Sequence, residues 1–136
     1  MSIEGVLAIA NSALDAQSER ITLIAQNLAN SNSVESPGGG TYQRQIPVFE
    51  VSPLQMANGD IAAGVKLAAV VRDSSTMSVY DPDDPLADSS GKVSRPSVNP
   101  IYEMVDLMEA SRSYQANLAV IESARTAALD TINLLK

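Results

Sequence analysis

The sequence predicts a mainly α protein. Its N- and C-terminal helices are expected to pair as an antiparallel, coiled-coil-like hairpin around a small, irregular, β-containing middle segment. Three observations carry this expectation. Apolar residues recur at alternating steps of four and three near both ends, turn formers crowd the region between, and large rings are scarce. The 136 residues hold one Phe, four Tyr and no Trp, whereas rings usually dominate buried area. Packing must therefore come from Ala, Leu and Ile between helices. The length suits one domain, divided into residues 1–32 (first helix), 33–98 (turn-rich, with short strands) and 99–136 (last helix).

In the first part, Ile3, Leu7, Ala10, Leu14, Gln17, Ile21, Ile24 and Leu28 keep the heptad rhythm, with Gln17 the one polar member. Asn30-Ser31-Asn32-Ser33 ends the helix, and Pro37-Gly38-Gly39-Gly40 cannot continue it. In the middle, Tyr42, Ile46 and Val48 lie on one parity of an extended run, with Phe49 and Val51 on the other. Val65, Leu67, Ala69 and Val71 make a second alternating run, and Asn58-Gly59 is a turn signal between the two. Beyond the second run, Pro82, Pro85, Ser89-Ser90-Gly91 and Pro96 break any long element.

The last part opens on Asn99 as N-cap and Pro100 as the first helical residue. Glu103 and Asp106 then lie near the positive end of the helix dipole. Its heptad line is Met104, Leu107, Ser111, Tyr114, Leu118, Ile121, Arg125, Ala128, Ile132 and Leu135. The expected pairing seam thus sets Leu7, Leu14, Ile21 and Leu28 against Leu107, Tyr114, Leu118, Ile121 and Ile132. Arg125 on this line reads either as a side chain with its stem on the apolar stripe or, like Arg112, as a pairing group that fixes register.

These helices carry more apolar surface than a hairpin can hide. Val6-Leu7-Ala8-Ile9-Ala10 covers every face for more than a turn. Ile9, Ala16 and Leu23 form a second stripe, as do Val120, Ala127 and Leu134. A helix that is apolar on several faces is buried on several faces. Either the middle segment folds back over the second stripes, or neighbouring copies cover them. The middle is polar and broken by Pro, which favours the neighbours. Ile9, Leu23, Val120 and Leu134 are therefore expected to pack between subunits, and packing that repeats without closing yields a helical assembly.

The chemistry of most other function classes is missing. With 9 Lys and Arg against 16 Asp and Glu, the net charge is −7, and the basic residues form no stripe, so nucleic acid is a poor partner. The lack of Cys and His removes thiol nucleophiles, the usual zinc ligands and the usual proton shuttle. Ser111, Ser113 and Tyr114 have no activating base. Asp81, Asp83, Asp84 and Asp88 lack the Gly and Glu of a calcium loop and read as a solvated turn. Gly38-Gly39-Gly40 lacks the Lys-Ser/Thr of a phosphate loop. No enzyme, cofactor, metal or small-molecule substrate is expected. The start, Met-Ser-Ile-Glu-Gly, has no positive n-region, and the apolar run after it is too short for a signal peptide or a membrane span.

Asn27-Leu28-Ala29-Asn30, closing the first helix, resembles a signature of the flagellar rod/hook axial protein family. The last helix is more specific, with Glu103-Met104-Val105-Asp106-Leu107-Met108 and then Ala110-Ser111-Arg112-Ser113-Tyr114-Gln115-Ala116-Asn117. Gly64-Val65-Lys66, Val79-Tyr80-Asp81-Pro82, Pro85-Leu86-Ala87-Asp88 and Gly91-Lys92-Val93 extend the likeness over nearly the whole chain. The short length is similar to that of the family's proximal-rod members. The resemblance implies a self-assembling structural subunit of the basal-body rod in the periplasmic space, transmitting motor torque. It implies export through the flagellar type III apparatus without signal cleavage. The implied partners are further copies and the rod proteins FliE, FlgB, FlgF and FlgG. The competing expectation is a helical adaptor, or another secreted type III component, binding a partner through its terminal helices.

Overall fold

The computed structural model describes residues 2–34, 39–57 and 59–134. Of the residues singled out above, Pro37, Gly38, Asn58 and Leu135 lie outside them. Two helices and two hairpins come in the order α1 (Ile3–Ala29), β1 (Arg44–Gln55), β2 (Ile61–Asp73), β3 (Thr76–Tyr80), β4 (Lys92–Pro96) and α2 (Pro100–Leu134). The sheets are two separate antiparallel pairs, β1–β2 and β3–β4.

The expectation of a mainly α fold is corrected here. The described residues are 48% helical and 27% strand, so the molecule is a mixed one in which two terminal helices do pair. The cause is the middle segment. Its alternating runs support strands of 12 and 13 residues, because the Val, Ile and Phe side chains spread along them suit a pleated ladder. Pro47 and Pro53 sit in β1 without ending it. A two-stranded ribbon leaves each strand one unpaired edge, and there a missing N–H costs no ladder bond.

The register explains the switch of parity in β1. Val48 pairs Ala69 and Phe49 pairs Leu67, so Ala68 is an extra residue and the ladder bulges there. A bulge increases twist and re-aims side chains. Ile46 and Phe49, of opposite parity, both line the same groove beside Ile24 and Asn27 of α1.

The β1–β2 hairpin lies along α1. At its tip the Ala57 N–H donates to Glu4 Oε1 at 3.1 Å, and Gly5 and Ile9 line a groove with Met56, Ile61 and Ala62. Midway, the Val65 N–H donates to Ser12 Oγ at 3.2 Å. At its base the Gln45 N–H donates to Asn27 Oδ1 at 2.8 Å. Ala16 and Leu23 continue the line of Ile9 by heptad steps, and both are buried. One flank of α1 is thus covered within the chain, and α2 takes another.

α1 is closed at its start by Ser2, whose Oγ accepts the Gly5 N–H at 3.2 Å. At its end the Asn30 N–H and side-chain amide both donate to the Gln26 carbonyl, at 3.1 and 2.8 Å. In α2 the Asn99 side chain caps the first turn, accepting the Ile101 N–H at 2.9 Å. The α1 and α2 helices run antiparallel, with Asn27 beside Glu103 and Ile3 and Val6 beside Val120 and Ala124. Among the described residues no helix is long and apolar enough to cross a membrane.

The second hairpin is held by its turn. The Asp88 carboxylate accepts the Ser90 and Lys92 N–H groups at 2.8 and 3.0 Å and the Ser90 hydroxyl at 2.7 Å. These bonds hold its pKa below the usual carboxylate value. Asp81 pairs with Arg95 at 3.1 Å, and Asp84 accepts the Leu86 N–H at 2.9 Å. Most of the acid cluster is therefore turn scaffolding.

Gly64 shows how closely the hairpin rides on α1. A Cβ there would stand 2.5 Å from Leu54 Cδ1 and 2.8 Å from Ser12 Oγ. The Leu54 side chain can turn away, but Ser12 is tied to Ile9 and Val65. Gly64→Ala should therefore cost about 1–3 kcal/mol by overpacking and raise amide exchange at Val65. Urea denaturation with hydrogen exchange checks this; an unchanged midpoint together with unchanged Val65 protection would refute the close approach.

Candidate assembly interface and its polar anchor

The largest fully buried side chains of the α1–α2 pair are polar. Asn27 and Glu103 are each 1% exposed, and they meet where three elements converge. Asn27 comes from the last turn of α1, Glu103 from the first turn of α2, and Tyr42, Arg44 and Gln45 from the start of β1. The Asn27 amide donates to the Gln45 carbonyl at 2.9 Å and to Glu103 Oε2 at 3.1 Å. Its Oδ1 accepts the Gln45 N–H at 2.8 Å and the Tyr42 hydroxyl at 2.9 Å. Every donor and acceptor place of the side chain is filled.

Glu103 is paired as well. Its Oε1 accepts from Arg44 Nε at 2.6 Å, a short charge-assisted bond. Beyond it, Arg44 stands 3.9 Å from Asp106, and Arg20 of α1 stands 4.0 Å from Asp106 and 3.8 Å from Glu109. These outer pairs are partly exposed and contribute little. The inner pair matters because a lone carboxylate at that depth would be strongly destabilising. No two of these groups present a nucleophile with a base to activate it, and among the described residues no cluster of three acids could hold a metal. The arrangement positions three elements against one another.

The expected pairing residues divide unevenly between the helices. On α1, Leu7, Leu14, Ile21 and Leu28 are half-buried. On α2, Leu107 and Ile121 are half-buried, while Tyr114, Leu118 and Ile132 are exposed. The buried line of α2 runs through Glu103 and Ala110 and continues half-buried through Asn117, Ala124 and Ala128. Of the residues expected to face neighbours, Leu23 is buried and Ile9 half-buried beside the chain's own hairpin, whereas Val120 and Leu134 are exposed.

The two family signatures divide similarly. Asn27 is the anchor, Leu28 is half-buried, Ala29 is exposed, and Asn30 caps the helix. In α2, Ser111, Ser113 and Asn117 are half-buried, with the Asn117 amide donating to the Ser113 carbonyl at 3.0 Å. Arg112, Tyr114, Gln115 and Ala116 are exposed. Among the described residues neither Arg112 nor Arg125 forms an ion pair. Apolar patterning does not single out Arg44 or Gln45. It shows Tyr42 only as a strand residue and Glu103 only as a charge near the helix dipole. The available signal was spacing: Glu103 lies one heptad before Ala110 and two before Asn117, on the line that turns inward.

The outer face of α2 is left uncovered. Ile101 is 70% exposed, and Met104, Val105 and Met108 stand at least half open on the side away from Glu103. The exposed residues of α1 are mostly polar, through Asn11, Asp15, Ser18, Glu19, Thr22 and Gln26, with Ile3, Ala25 and Ala29 the apolar exceptions. A contiguous apolar face on one helix only marks an interaction surface.

Known proteins are similar over nearly the whole chain. Residues 89–134 match the family described as flagellar basal body rod FlgEFG protein C-terminal. The flagellar basal-body rod protein FlgC of Salmonella typhimurium is 42% identical over 135 residues, 98% of either chain. The proteins of that name from Buchnera aphidicola (subsp. Schizaphis graminum) and Agrobacterium fabrum are 37% and 41% identical, covering 98% and 94% of this chain and 98% and 91% of their own lengths.

The anchor separates the two Asn residues of the first signature. Asn27→Ala leaves the Gln45 N–H and carbonyl and the Glu103 carboxylate short of partners, and should cost about 2–3 kcal/mol. Asn30→Ala loses one exposed bond and should cost about 0.5 kcal/mol or less. Urea midpoints of the purified variants measure both; equal losses would refute the anchor.

Proposed function

The chain belongs to the FlgC family of flagellar basal-body rod proteins and is a structural subunit of the rod; from that premise we propose how its shape serves the assembly. It polymerises with further copies of itself and with the rod proteins FliE, FlgB, FlgF and FlgG in the proximal rod, within the periplasmic space. There it transmits motor torque. Its role is mechanical and needs no cofactor. The observation that carries this reading is the one-sided surface of α2. A subunit that works alone has no use for Ile101, Met104, Val105 and Met108 in solvent, while one that works in a stack needs them.

Export through the type III apparatus without a cleaved signal fits the same design. The described fold has no disulfide and a thin core, so an unfolded chain loses little that it cannot regain on assembly. Inside the subunit the pairing seam Leu7, Leu14, Ile21 and Leu28 with Leu107 and Ile121 keeps the helices together, and Leu23 holds the hairpin side. Val120 and Leu134 face neighbours, and Ile9 stands at the rim of the hairpin groove where it can serve both.

Val120→Asp and Leu134→Asp should each abolish swimming and empty basal bodies of rods while the chain is still exported, because a charge buried at a contact costs several kcal/mol. Glu122→Lys, between them on an exposed position, should swim nearly normally. The readout is swimming, secreted protein and negative-stain images of basal bodies from a strain lacking the natural chain. Normal rods in both Asp variants would exclude this face from the assembly, and normal rods in the deletion strain itself would favour the adaptor reading.

A further inference from the structure

The seam of α1 is broken at one place. Of Ile3, Leu7, Ala10, Leu14, Gln17, Ile21, Ile24 and Leu28, only Gln17 is polar, and it stands near the middle of the helix. Its side chain is half-buried, but its Oε1 is shut off from solvent and accepts no hydrogen bond. Arg20, one turn later, reaches across to Asp106 and Glu109 of α2 at 4.0 and 3.8 Å. The antiparallel pairing therefore brings Gln17 level with Ala110 and Ser113. Ala110 is fully buried and has no side-chain donor to offer. Asn117, one turn beyond Ser113, spends its amide on the Ser113 carbonyl at 3.0 Å.

A carbonyl oxygen taken out of water without a partner weakens a fold, whereas an apolar group of the same shape in its place does not. Asn27, on the same helix, has each of its places filled. The helix pair is thus locked at one end and loose in its middle. Resting on the export reading above, we propose that Gln17 is a built-in weak point of the α1–α2 pair, which keeps the folded subunit easy to open for export. A chain that folds before it reaches the export apparatus has to be opened again. The work of opening it rises with the stability of its longest helix contact. An apolar residue at position 17 would complete the seam and raise that work. After export the weakness is harmless, because contacts that bind only the folded form offset it.

Gln17→Met keeps the unbranched shape of the side chain and removes the orphaned oxygen. In the purified full chain it should raise the folded-to-unfolded ratio about tenfold, read from urea midpoints. Unfolding should slow, and amide exchange in the middle of α1 should fall. Gln17→Leu should act in the same direction. Gln17→Glu, which puts a carboxylate of the same size there, should act in the opposite one. Glu19→Gln, at an exposed position of the same helix, should change little. In a strain lacking the natural chain, Gln17→Met should be secreted more slowly than the natural sequence, and the rods it builds should look normal. Midpoints that stay or fall in both Gln17→Met and Gln17→Leu would overturn the proposal, because the buried oxygen would then carry no penalty. Raised midpoints with secretion at the natural rate would overturn it too, since the weak point would not serve export. The rod reading survives either result. If the natural chain itself is not secreted by the type III apparatus, the export reading fails, and the export role of Gln17 fails with it.

Discussion

The fold depends on keeping one carboxylate deep inside it. Glu103 is the largest fully buried side chain, and it stays there only while Arg44 and Asn27 both reach it. Asn27 in turn needs the backbone of Gln45 and the hydroxyl of Tyr42. Replacing such a group by a well-packed apolar residue often stabilises a protein, whereas removing one partner is costly. The arrangement therefore adds little net stability. It penalises every structure in which α1, β1 and α2 do not arrive together. A slip of one turn between the helices would strand Glu103, and a slip of one residue in β1 would turn Arg44 to the other face. Apolar seams rich in alanine tolerate such slips; this junction does not.

That junction also sets the exposure of the helices. It brings β1 to the side of α1, so the hairpin runs back along the Ile9–Leu23 line and α1 has two flanks covered. α2 has α1 and, at its start, Arg44 of β1, and its other flanks keep Met104, Leu118 and Leu129 open. The difference explains why apolar residues in α2 point in nearly all directions. One face meets α1, and the rest stay open in the single chain.

The part of this that could be read from the chain alone was the part written in apolar rhythm. Two heptad helices, the terminal capping at Asn30 and Asn99, and the extended runs on either side of Gly59 all left marks at fixed spacing. The amount of sheet did not, because alternation in a polar, Pro-containing stretch reads as short strands. Only pairing shows that Pro47 and Pro53 are harmless in a two-stranded ribbon. The inward line of α2 is hidden for a related reason. It is built from Glu103, Ala110, Asn117 and Ala124, which no count of large apolar residues selects. Arg44 was invisible as a site because its partner lies 59 positions away, and nothing local distinguishes a buried ion pair from a solvated one.

Small residues on that inward line have a further consequence. Alanine lets helices approach closely, but it hides little area, and the buried apolar residues of the pair include Ala10, Ala16 and Ala110. With one Phe and no Trp in the chain, the subunit alone buries too little to be strongly stable for its size. The apolar area missing from its interior is on its surface, along α2. Contacts there bind only the folded chain, so each neighbour that docks raises the stability of the subunit it docks on by linkage. Folding and assembly thus draw on the same residues. On the assembly reading proposed above, neighbours would add the apolar burial that the subunit's own interior lacks, and the polar junction would hold the resulting form to one geometry.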